Sequence, residues 1–430
     1  MKRLMRNNSH QFFSRHSFVR GRFNYAMMFF LAALIATLLP AFLIWGWGFW
    51  YSFDSVRVNT ILGIFISCMI AGFSLDRFMI YPGSQVLPYM IKTVTTIYLL
   101  LFAILLITRF EYSRSVILCS YLLVLILCWL ICLLGVMYGR RKYAIIPVGN
   151  YKSLCEIDGI DWYVVNDLTL FDYCYDAVVA DLNTLELQDQ WQRVLANCAL
   201  LKTPIYDSKQ IYESLTGRVS LDFLHQSNLG AITPSLYYLY IKMVVDMVAI
   251  IVALPLLLPL MLATAALIKI DSPGPIFFLQ KRVGQGNKDF IIYKFRSMHV
   301  NAELGGAKFA EERDGRTTRV GALIRRYRID ELPQFFNVLK GDMSLIGPRP
   351  EQRVFVEKFQ HELPFYMYRH MVRPGISGWA QVMYGYSADI DSTRKKVEYD
   401  LYYIKNFSVW LDVLIVFKTI KTMATGFGAR

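Results

Sequence analysis

The chain has 430 residues, of which 55% are hydrophobic and 15% aromatic, and its formal net charge is +13 at pH 7. Its length exceeds that of one ordinary domain, and its apolar composition excludes an ordinary soluble enzyme and indicates a membrane protein. The charge is uneven: residues 1–150 carry 14 Lys and Arg against 3 Asp and Glu, residues 151–230 carry 5 against 12, and residues 231–430 carry 27 against 18. We therefore expect three modules, of which the first and third contact anionic lipid or anionic substrates.

Two classes of partner are disfavoured by the absence of sequence motifs. No zinc-finger or RNA-binding signature accompanies the basic charge, so we expect no nucleic acid partner. The seven cysteines show no metal-type spacing, since Cys128 and Cys132 lie four apart within an apolar segment. We interpret all seven as free thiols in a reducing compartment.

The N-terminal third predicts membrane helices. Residues 1–24 form a basic segment that we place in the cytoplasm, and residues 25–139 contain four apolar segments, each close to the 20 residues that a membrane-spanning helix requires. These segments lie at about 25–47, 57–75, 87–108 and 115–138. Because basic residues flank the first and last segments, we expect an even number of crossings, with everything after residue 139 in the cytoplasm. The few charges in these segments form no transport signature, which disfavours a pump or an ion pathway.

Residues 140–235 change character. Apolar runs at 143–150 and 176–181 predict strands, and 185–200 has helical periodicity, so we expect a small parallel α/β domain of Rossmann-like type. A dinucleotide-binding version would carry G-x-G-x-x-G after the first strand, but this chain has only Gly149 there. A structural or partner-binding module without a phosphate loop is the favoured interpretation, and a ligand site is the alternative.

One further apolar segment lies within residues 236–270. Residues 247–268 are uncharged and long enough to cross a bilayer, but Pro255 and Pro259 obstruct a helix near its middle. A complete crossing would also place the following module outside the cytoplasm. We therefore predict a re-entrant membrane helix, broken near Pro255 and Pro259, that enters and leaves by the same face; an ordinary kinked span is the alternative.

Residues 271–430 are polar and rich in motifs. Residues 276–280 and 290–295 predict a β-hairpin. Lys294 and Arg296 close its second strand at alternate positions, so both side chains are expected on one face. Near the C-terminus, residues 410–418 are apolar but too short to cross a membrane, and they predict an amphipathic interfacial helix.

An adjacent acidic pair, Asp330 and Glu331, lies in the most arginine-rich stretch. Residues 313–349 contain eight Lys and Arg against four Asp and Glu. Acids in a basic pocket are typical of chemistry on phosphate esters, because arginines neutralise phosphoryl charge while a carboxylate attacks phosphorus or binds a metal. A helix start stabilised by ion pairs is the alternative.

The motifs of residues 240–430 resemble those of the bacterial sugar transferases. These are polyprenyl-phosphate hexose-1-phosphate transferases, and the present chain is similar to the long form of the monotopic-type phosphoglycosyl transferases, which begin exopolysaccharide, capsule and O-antigen assembly. The motifs are K-R-V-G from Lys281, Y-K-F-R-S-M from Tyr293, T-R-V-G from Thr318, D-E-L-P-Q from Asp330, N-V-L-K-G-D-M-S-L-I-G-P-R-P from Asn337 and R-P-G-I-S-G-W-A-Q from Arg373. The chain departs from the family at Leu258-Pro259, where the family often has Ser-Pro.

The resemblance implies a reaction and a set of site residues. Hexose-1-phosphate would pass from a UDP-hexose to undecaprenyl phosphate with release of UMP, through a covalent phosphosugar–aspartate intermediate and with Mg²⁺ as cofactor. It implies catalytic roles for Asp330, as the nucleophile, and for Glu331, as its metal-associated partner, so that both are candidate metal ligands. The substrate-binding residues that it implies are Lys294, Arg296 and Arg349 on phosphates, with Arg373 and Asp400 in the pocket wall.

The sequence therefore predicts a membrane protein of mixed class. We expect a four-helix transmembrane bundle, a small cytosolic α/β domain, and an α-rich α+β catalytic domain (271–430) that follows the re-entrant helix and faces the cytoplasm from the bacterial inner membrane. The expected partners are UDP-hexose, undecaprenyl phosphate and membrane lipid. A homodimer is compatible with this organisation, although no interface signal indicates one. The alternative is a non-catalytic membrane scaffold that binds nucleotide-sugars or partner enzymes of polysaccharide assembly.

Overall fold

The computed structural model forms two compact units, Met1–Thr216 and Gly217–Arg430. It describes residues 18–51, 54–78, 81–82, 86–137, 141–149, 151–157, 160–165, 175–182, 189–201, 203–221, 233–300, 315–384 and 390–425. Each unit is described separately below.

The first unit begins with long apolar helices at the four predicted segments. They are α1 (Phe18–Trp45), followed by a 3-10 turn at Gly46–Trp50, α2 (Ser55–Phe78), α3 (Val86–Thr108) and α4 (Arg114–Met137). By length and composition, the described helical segments able to cross a membrane are Met27–Gly48, Ser55–Phe78, Tyr89–Thr108 and Leu236–Asp271, while Arg114–Leu130 is apolar but shorter. The chain is therefore a membrane protein.

Small residues allow these helices to approach closely. A Cβ added to Gly63 of α2 would lie 2.8 Å from the side chain of Leu101 on α3. Hydroxyl groups also join neighbouring helices, since Tyr98 and Ser120 lie 2.8 Å apart between α3 and α4. Close packing and interhelical hydrogen bonds are the forces that associate helices in lipid, where the hydrophobic effect is absent.

A four-stranded parallel sheet follows in the same unit. Its strands are β1 (Arg141–Ile145), β2 (Ile160–Val164), β3 (Ala177–Ala180) and β4 (Ile205–Asp207), in the order β2-β1-β3-β4. One face packs against α6 (Asp189–Leu200), and the other packs against α5 (Lys152–Cys155) and α7 (Ser208–Thr216). β1 and β3 coincide with the predicted strands at 143–150 and 176–181.

The second unit opens with α8 (Leu236–Asp271), a single helix of 36 residues. At 1.5 Å per residue it is about 54 Å long. Pro255 and Pro259 lie inside it, so the predicted break is not seen as an interruption of the helix. Prolines are tolerated in membrane helices when neighbouring groups satisfy the backbone.

Both halves of α8 pack against other elements of the second unit. Ile250 lies in a buried cluster with Ile292, Val338 and Met343, and Leu254 packs against that cluster. Towards the other end, a second cluster buries residues of α8 together with residues of the following hairpin and helix: Met261, Ile268, Phe295 and Ile324. The opposite face of the helix is apolar and exposed.

The remaining elements surround a short hairpin. Its strands β5 (Phe277–Val283) and β6 (Asp289–Phe295) are antiparallel and joined by a 3-10 turn at Gln285–Asn287, as the motif at 276–295 predicts. The elements that follow are α9 (Arg319–Arg326), a 3-10 helix at Ile329–Gln334, α10 (Phe335–Lys340), β7 (Ser344–Ile346), α11 (Arg353–Glu362), a 3-10 helix at Tyr366–Met371, β8 (Gly375–Ser377), α12 (Trp379–Met383), α13 (Ile390–Lys405) and α14 (Val409–Thr425).

Two close backbone contacts fix the chain around the acidic pair. Thr318 caps α9 by accepting a hydrogen bond from the backbone N–H of Gly321 at 2.9 Å. A Cβ at Gly321 would lie 2.0 Å from the carbonyl oxygen of Ser297, so only glycine fits where α9 crosses the end of the hairpin. β7 and β8 pair in parallel, and this pairing holds the Gly347–Pro350 turn against the segment that begins at Arg373.

Candidate active site

Asp330 and Glu331 lie on the 3-10 helix Ile329–Gln334, directly after α9. Arg328, the residue before this helix, has a left-handed backbone conformation with φ 55°. This conformation is uncommon for a residue with a side chain, and here it separates α9 from the 3-10 helix. Glu331 is 6% exposed, while Asp330 is half-buried.

Glu331 is held by three cationic side chains in the described part of the chain. Its Oε1 accepts hydrogen bonds from Arg349 Nη2 at 3.2 Å and from Lys294 Nζ at 3.4 Å. Its Oε2 lies 3.6 Å from Arg328 Nη1. Burial alone would raise the pKa of Glu331, but Lys294, Arg349 and Arg328 outweigh it and lower the pKa to about 2. Glu331 is therefore a fixed anion.

Asp330 has a different environment, although it is adjacent. Among the described residues, no hydrogen bond or ion pair reaches its carboxylate. Burial and the neighbouring charge of Glu331 raise the pKa of Asp330 to about 6, against the opposing effect of Lys294, Arg325 and Arg349. Asp330 is therefore mostly ionised at pH 7 and keeps its oxygens available, beside cations that can hold a phosphate. This is the arrangement that a nucleophile requires.

Lys294 reaches the pair from β6, which runs beside the 3-10 helix. Burial lowers the pKa of its ammonium group, and Glu331 opposes that effect. Lys294 and Arg349 share one oxygen of Glu331, so both lie at the acidic pair, as the family resemblance implies. Arg328 is the third cation that contacts Glu331. The sequence indicated it only through its position in the arginine-rich stretch.

Asp400 is linked to this cluster through Arg369. Its Oδ2 accepts hydrogen bonds from Arg369 Nη2 at 2.9 Å and from Arg369 Nε at 3.2 Å, and both side chains are buried. Arg369 Nη2 also donates to the backbone carbonyl of Arg349 at 2.9 Å, and Arg369 Nη1 donates to Tyr366 OH at 2.9 Å. Burial raises the pKa of Asp400, with Arg369 opposing it. The pair therefore supports the turn that carries Arg349.

Arg296 lies apart from the cluster. Its guanidinium donates to the carbonyl oxygens of Pro273 and Ser272 at 2.8 and 2.7 Å and to Ser272 Oγ at 2.8 Å. Among the described residues no hydrogen bond or ion pair joins Arg296 to the acids, so its share in a cationic face with Lys294 stays a prediction. Its contacts are those of a residue that closes a helix end.

Arg373 also lies outside the cluster. Its Nη2 is 3.3 Å from Met243 Sδ on α8, and it lines a separate cavity. Of the substrate-binding residues that the resemblance implies, the structure therefore brings Lys294 and Arg349 to the acidic pair and places Arg296, Arg373 and Asp400 elsewhere.

A magnesium ion fits this site only together with a phosphorylated substrate. Among the described residues, no group of three or more His, Cys, Asp and Glu side chains could form a metal cage. Mg²⁺ at phosphoryl-transfer sites is often bound by one or two carboxylates, the rest of its coordination coming from substrate phosphates and water. Asp330 and Glu331 can supply those carboxylate oxygens, since no described residue pairs with Asp330 and Glu331 Oε2 retains lone pairs beyond its contact with Arg328.

Comparison with known proteins gives matches over nearly the whole chain. A sequence profile described as bacterial sugar transferase matches residues 237–426. The UDP-N-acetylgalactosamine-undecaprenyl-phosphate N-acetylgalactosaminephosphotransferase of Aeromonas hydrophila is 56% identical over 418 residues, 97% of this chain and 99% of that protein.

Two glucose-1-phosphate transferases match a shorter stretch. The UDP-glucose:undecaprenyl-phosphate glucose-1-phosphate transferase of Xanthomonas campestris pv. campestris is 42% identical over 193 residues, 44% of this chain and 40% of that protein. The protein of the same name from Escherichia coli is 44% identical over 158 residues, 36% of this chain and 34% of that protein. The match to these two proteins therefore spans less than half of their length.

Proposed function

The chain belongs to the bacterial sugar transferase family, and from this membership and the site geometry we propose that it transfers a sugar-1-phosphate from a UDP-sugar to undecaprenyl phosphate. The products are UMP and an undecaprenyl-diphospho-sugar, and the reaction is the first membrane step of a surface polysaccharide such as an exopolysaccharide, a capsule or an O-antigen. The observation that carries the proposal is the contrast within one acidic pair: three cations contact Glu331, whereas no described residue forms a hydrogen bond or ion pair with Asp330.

The first step uses Asp330 as the nucleophile. One of its carboxylate oxygens attacks the phosphorus that bears the sugar, and a new oxygen–phosphorus bond forms. The bond from that phosphorus to the bridging oxygen breaks, and its electron pair leaves with UMP. Lys294 and Arg349, which contact the neighbouring Glu331, would neutralise the phosphoryl oxygens. Positioning and charge neutralisation are the main contributions of a protein to phosphoryl transfer.

The second step regenerates the carboxylate. A phosphate oxygen of undecaprenyl phosphate attacks the same phosphorus, the bond to Asp330 breaks, and its electron pair returns to the aspartate. The lipid diphosphate is released without consumption of another reactant. A covalent intermediate allows one site to serve a water-soluble donor and a membrane-bound acceptor in turn.

Glu331 has a supporting role in this scheme. Its fixed negative charge orders Lys294, Arg328 and Arg349 around the reacting phosphate before substrate arrives. When Mg²⁺ is bound through Glu331 and Asp330, it adds Lewis-acid neutralisation of the diphosphate charge.

We further propose UDP-N-acetylgalactosamine as the donor. The Aeromonas protein named for that sugar matches 97% of this chain, whereas the Xanthomonas and Escherichia proteins named for glucose match 44% and 36%. Both nucleotide-sugars are UDP-linked hexoses, so the proposed phosphate contacts of Lys294 and Arg349 would serve either one.

The packing of α8 supports a re-entrant path in the membrane. A helix about 54 Å long exceeds the hydrocarbon thickness of a bilayer, so a full crossing would place its ends on opposite sides. Ile250 and Met261, on either side of the two prolines, both pack against the same polar unit. A unit that contacts both halves lies on one side of the membrane, and we place it on the cytoplasmic side of the inner membrane.

Release of UMP from a panel of UDP-sugars, in membranes that contain undecaprenyl phosphate, tests the proposal. We expect release with UDP-N-acetylgalactosamine to exceed release with UDP-glucose at equal concentration. Binding of UDP-sugars without UMP from any of them would instead indicate the non-catalytic scaffold and would overturn the proposed function.

A further inference from the structure

A buried network of charged and hydroxyl groups joins α8 to β7, α13 and α14, and the mechanism above does not use it. Three of its members, Tyr238, Lys242 and Asp246, recur every four residues and so lie on one face of α8. Lys242 and Asp246 are each 5% exposed, although α8 is apolar and long enough to cross a membrane. Ionisable side chains in such a segment are costly to bury and commonly have a function.

The C-terminal helices bind the first two of these residues. Asp412 of α14 accepts hydrogen bonds at Oδ2 from Tyr238 OH at 2.6 Å and from Lys242 Nζ at 2.7 Å. Its Oδ1 accepts another from Tyr403 OH on α13 at 2.8 Å. Lys242 Nζ lies further from Asp246 Oδ1, at 3.6 Å. Asp412 is therefore the closer ionic partner of Lys242, and the other oxygen of Asp246 faces β7.

Asp246 binds the open edge of β7. The sheet formed by β7 and β8 has two strands in the described structure, so one edge of β7 has no strand beside it. There, Asp246 Oδ2 accepts hydrogen bonds from Ser344 Oγ and from the backbone N–H of Leu345, the latter at 3.3 Å. A sheet of two short strands is marginal by itself, and an unpaired strand edge leaves backbone donors without partners. The carboxylate of Asp246 therefore takes the place of a third strand.

β7 leads directly into the turn that carries Arg349. The strand ends at Ile346, and Arg349 Nη2 lies 3.2 Å from Glu331 Oε1. The start of this turn is closely packed, since a Cβ added to Gly347 would lie 2.4 Å from the carbonyl oxygen of Arg373. Because close packing leaves the turn little room to adjust, a displacement of β7 moves Arg349 with it.

The placement of Arg349 matters for phosphoryl transfer. A guanidinium binds phosphate through a planar pair of N–H groups, so its orientation counts as well as its charge. A misplacement of about 1 Å can cost about 100-fold in rate, even when the altered residue is remote from the reacting atoms.

We propose that Asp246 is a positioning residue for the transfer reaction, which holds β7 against α8 and thereby places Arg349 at the acidic pair. Lys242 holds the other oxygen of this carboxylate, and Asp412 holds Lys242. The inference rests on the proposed function and deepens it, because the rate of the first half-reaction then depends on how the membrane helix α8 is seated.

A double-mutant cycle in the full-length protein tests this role. The rate of UMP release from UDP-N-acetylgalactosamine is measured in a single turnover without acceptor. For Asp246→Leu we expect a fall on the order of 10- to 100-fold. Asp246→Asn keeps an acceptor oxygen for Ser344 and Leu345, so it should retain most of the rate. In an Arg349→Ala background, Asp246→Leu should cause little further loss, because the residue through which it acts has been removed.

Thr264→Ala is the matched control. Thr264 is also a buried polar residue of α8, but its hydroxyl donates to the carbonyl oxygen of Leu260 in the same helix, at 2.8 Å. Its removal should leave the rate of UMP release unchanged.

The remaining outcomes are decisive in the other direction. An equal fold loss from Asp246→Leu in the wild-type and Arg349→Ala backgrounds would show that the network only stabilises the fold, and would overturn the proposal; so would an unchanged rate in Asp246→Leu. If Asp246→Leu does not fold, Ser344→Ala, which removes one donor to Asp246, decides by the same cycle. A wild-type protein that releases no UMP from any UDP-sugar would refute the proposed function itself, and this role of Asp246 with it.

Discussion

Arg369 donates a hydrogen bond to the backbone carbonyl of Arg349 at 2.9 Å. The same guanidinium is paired with the buried Asp400, so the turn that carries Arg349 rests on a buried ion pair rather than on solvent-exposed contacts. The guanidinium of Arg349 then reaches Glu331. A change at Asp400 therefore acts on the acidic pair through two intervening residues.

We predict that Asp400→Asn destabilises the protein and also impairs UMP release. Removing one partner of a buried ion pair leaves an uncompensated charge, which typically costs about 3–5 kcal/mol of unfolding free energy. Chemical denaturation gives the stability, and UMP release under saturating UDP-sugar gives kcat.

A matched double variant distinguishes positioning from stability. Arg369→Met with Asp400→Leu removes both charges, so we expect part of the stability to return. UMP release should remain low, because the carbonyl of Arg349 has still lost its donor. Full activity in this double variant would show that the pair serves stability alone.

Asp330→Asn should abolish UMP release, whether or not acceptor is present. An amide cannot form the phosphosugar bond, so no covalent adduct should be detected by intact-protein mass spectrometry after incubation with UDP-sugar. Glu357→Gln, a change of an exposed acid on α11, serves as the control and should keep full activity and the adduct. An adduct in Asp330→Asn would place the nucleophile elsewhere.

The acid limb of the activity profile should follow Asp330. Because its pKa is raised to about 6, UMP release should fall as the pH decreases through about 6, with the loss of one essential ionised group. The charge of Glu331 contributes to that raised pKa, so in Glu331→Gln any residual activity should have its acid limb at lower pH. A limb at the same pH in both proteins would contradict the coupling of the two carboxylates.

The free energy of unfolding should change with pH in opposite directions for Glu331 and Asp330. Glu331, with a folded-state pKa of about 2, contributes stability that is present above its unfolded pKa of about 4.3 and is lost as the pH falls towards 2. Asp330, with a raised pKa, favours the protonated folded state, so its ionisation costs stability as the pH rises through 6. We therefore expect Glu331→Gln to lower the Tm at pH 7 and Asp330→Asn to raise it.

Arg296→Met should affect stability rather than substrate affinity. Its guanidinium satisfies the oxygens of Ser272 and Pro273, so its removal leaves buried acceptors without donors and should cost about 1–3 kcal/mol for each acceptor left unsatisfied. The KM for UDP-sugar should stay near the wild-type value. Lys294→Met provides the contrast, because it should raise that KM or lower kcat. A large rise of KM in Arg296→Met would restore this residue to the phosphate site.

The hairpin at 276–295 could be predicted from sequence, because alternation and turn glycines are local signals. The meeting of Lys294, Arg349 and the acidic pair followed from the family resemblance. Strand alternation could not indicate the hydrogen bonds of Arg296 to Ser272 and Pro273, because those residues follow α8 and lie outside the hairpin. Arg369 had no usable signal, because its partner Asp400 is 31 residues away and its effect passes through a backbone carbonyl.

The predicted break in α8 stays a prediction, because the structure assigns Leu236–Asp271 as one helix with Pro255 and Pro259 inside it. Proline removes one backbone donor, and the two helix halves pack against the same unit. That packing comes from residues distant in sequence, such as Ile292 and Ile324, which no pattern within α8 records.

The attachment of α8 along both of its halves has a mechanical consequence for the lipid around it. On the proposed re-entrant path, a helix held to one unit along both halves would occupy a single leaflet and enlarge the area of that leaflet alone. Its insertion should therefore favour outward-curved membranes and respond little to acyl-chain length, whereas α1–α3 must match the full hydrocarbon thickness. The two ends of one polypeptide would then sense different physical properties of the same bilayer.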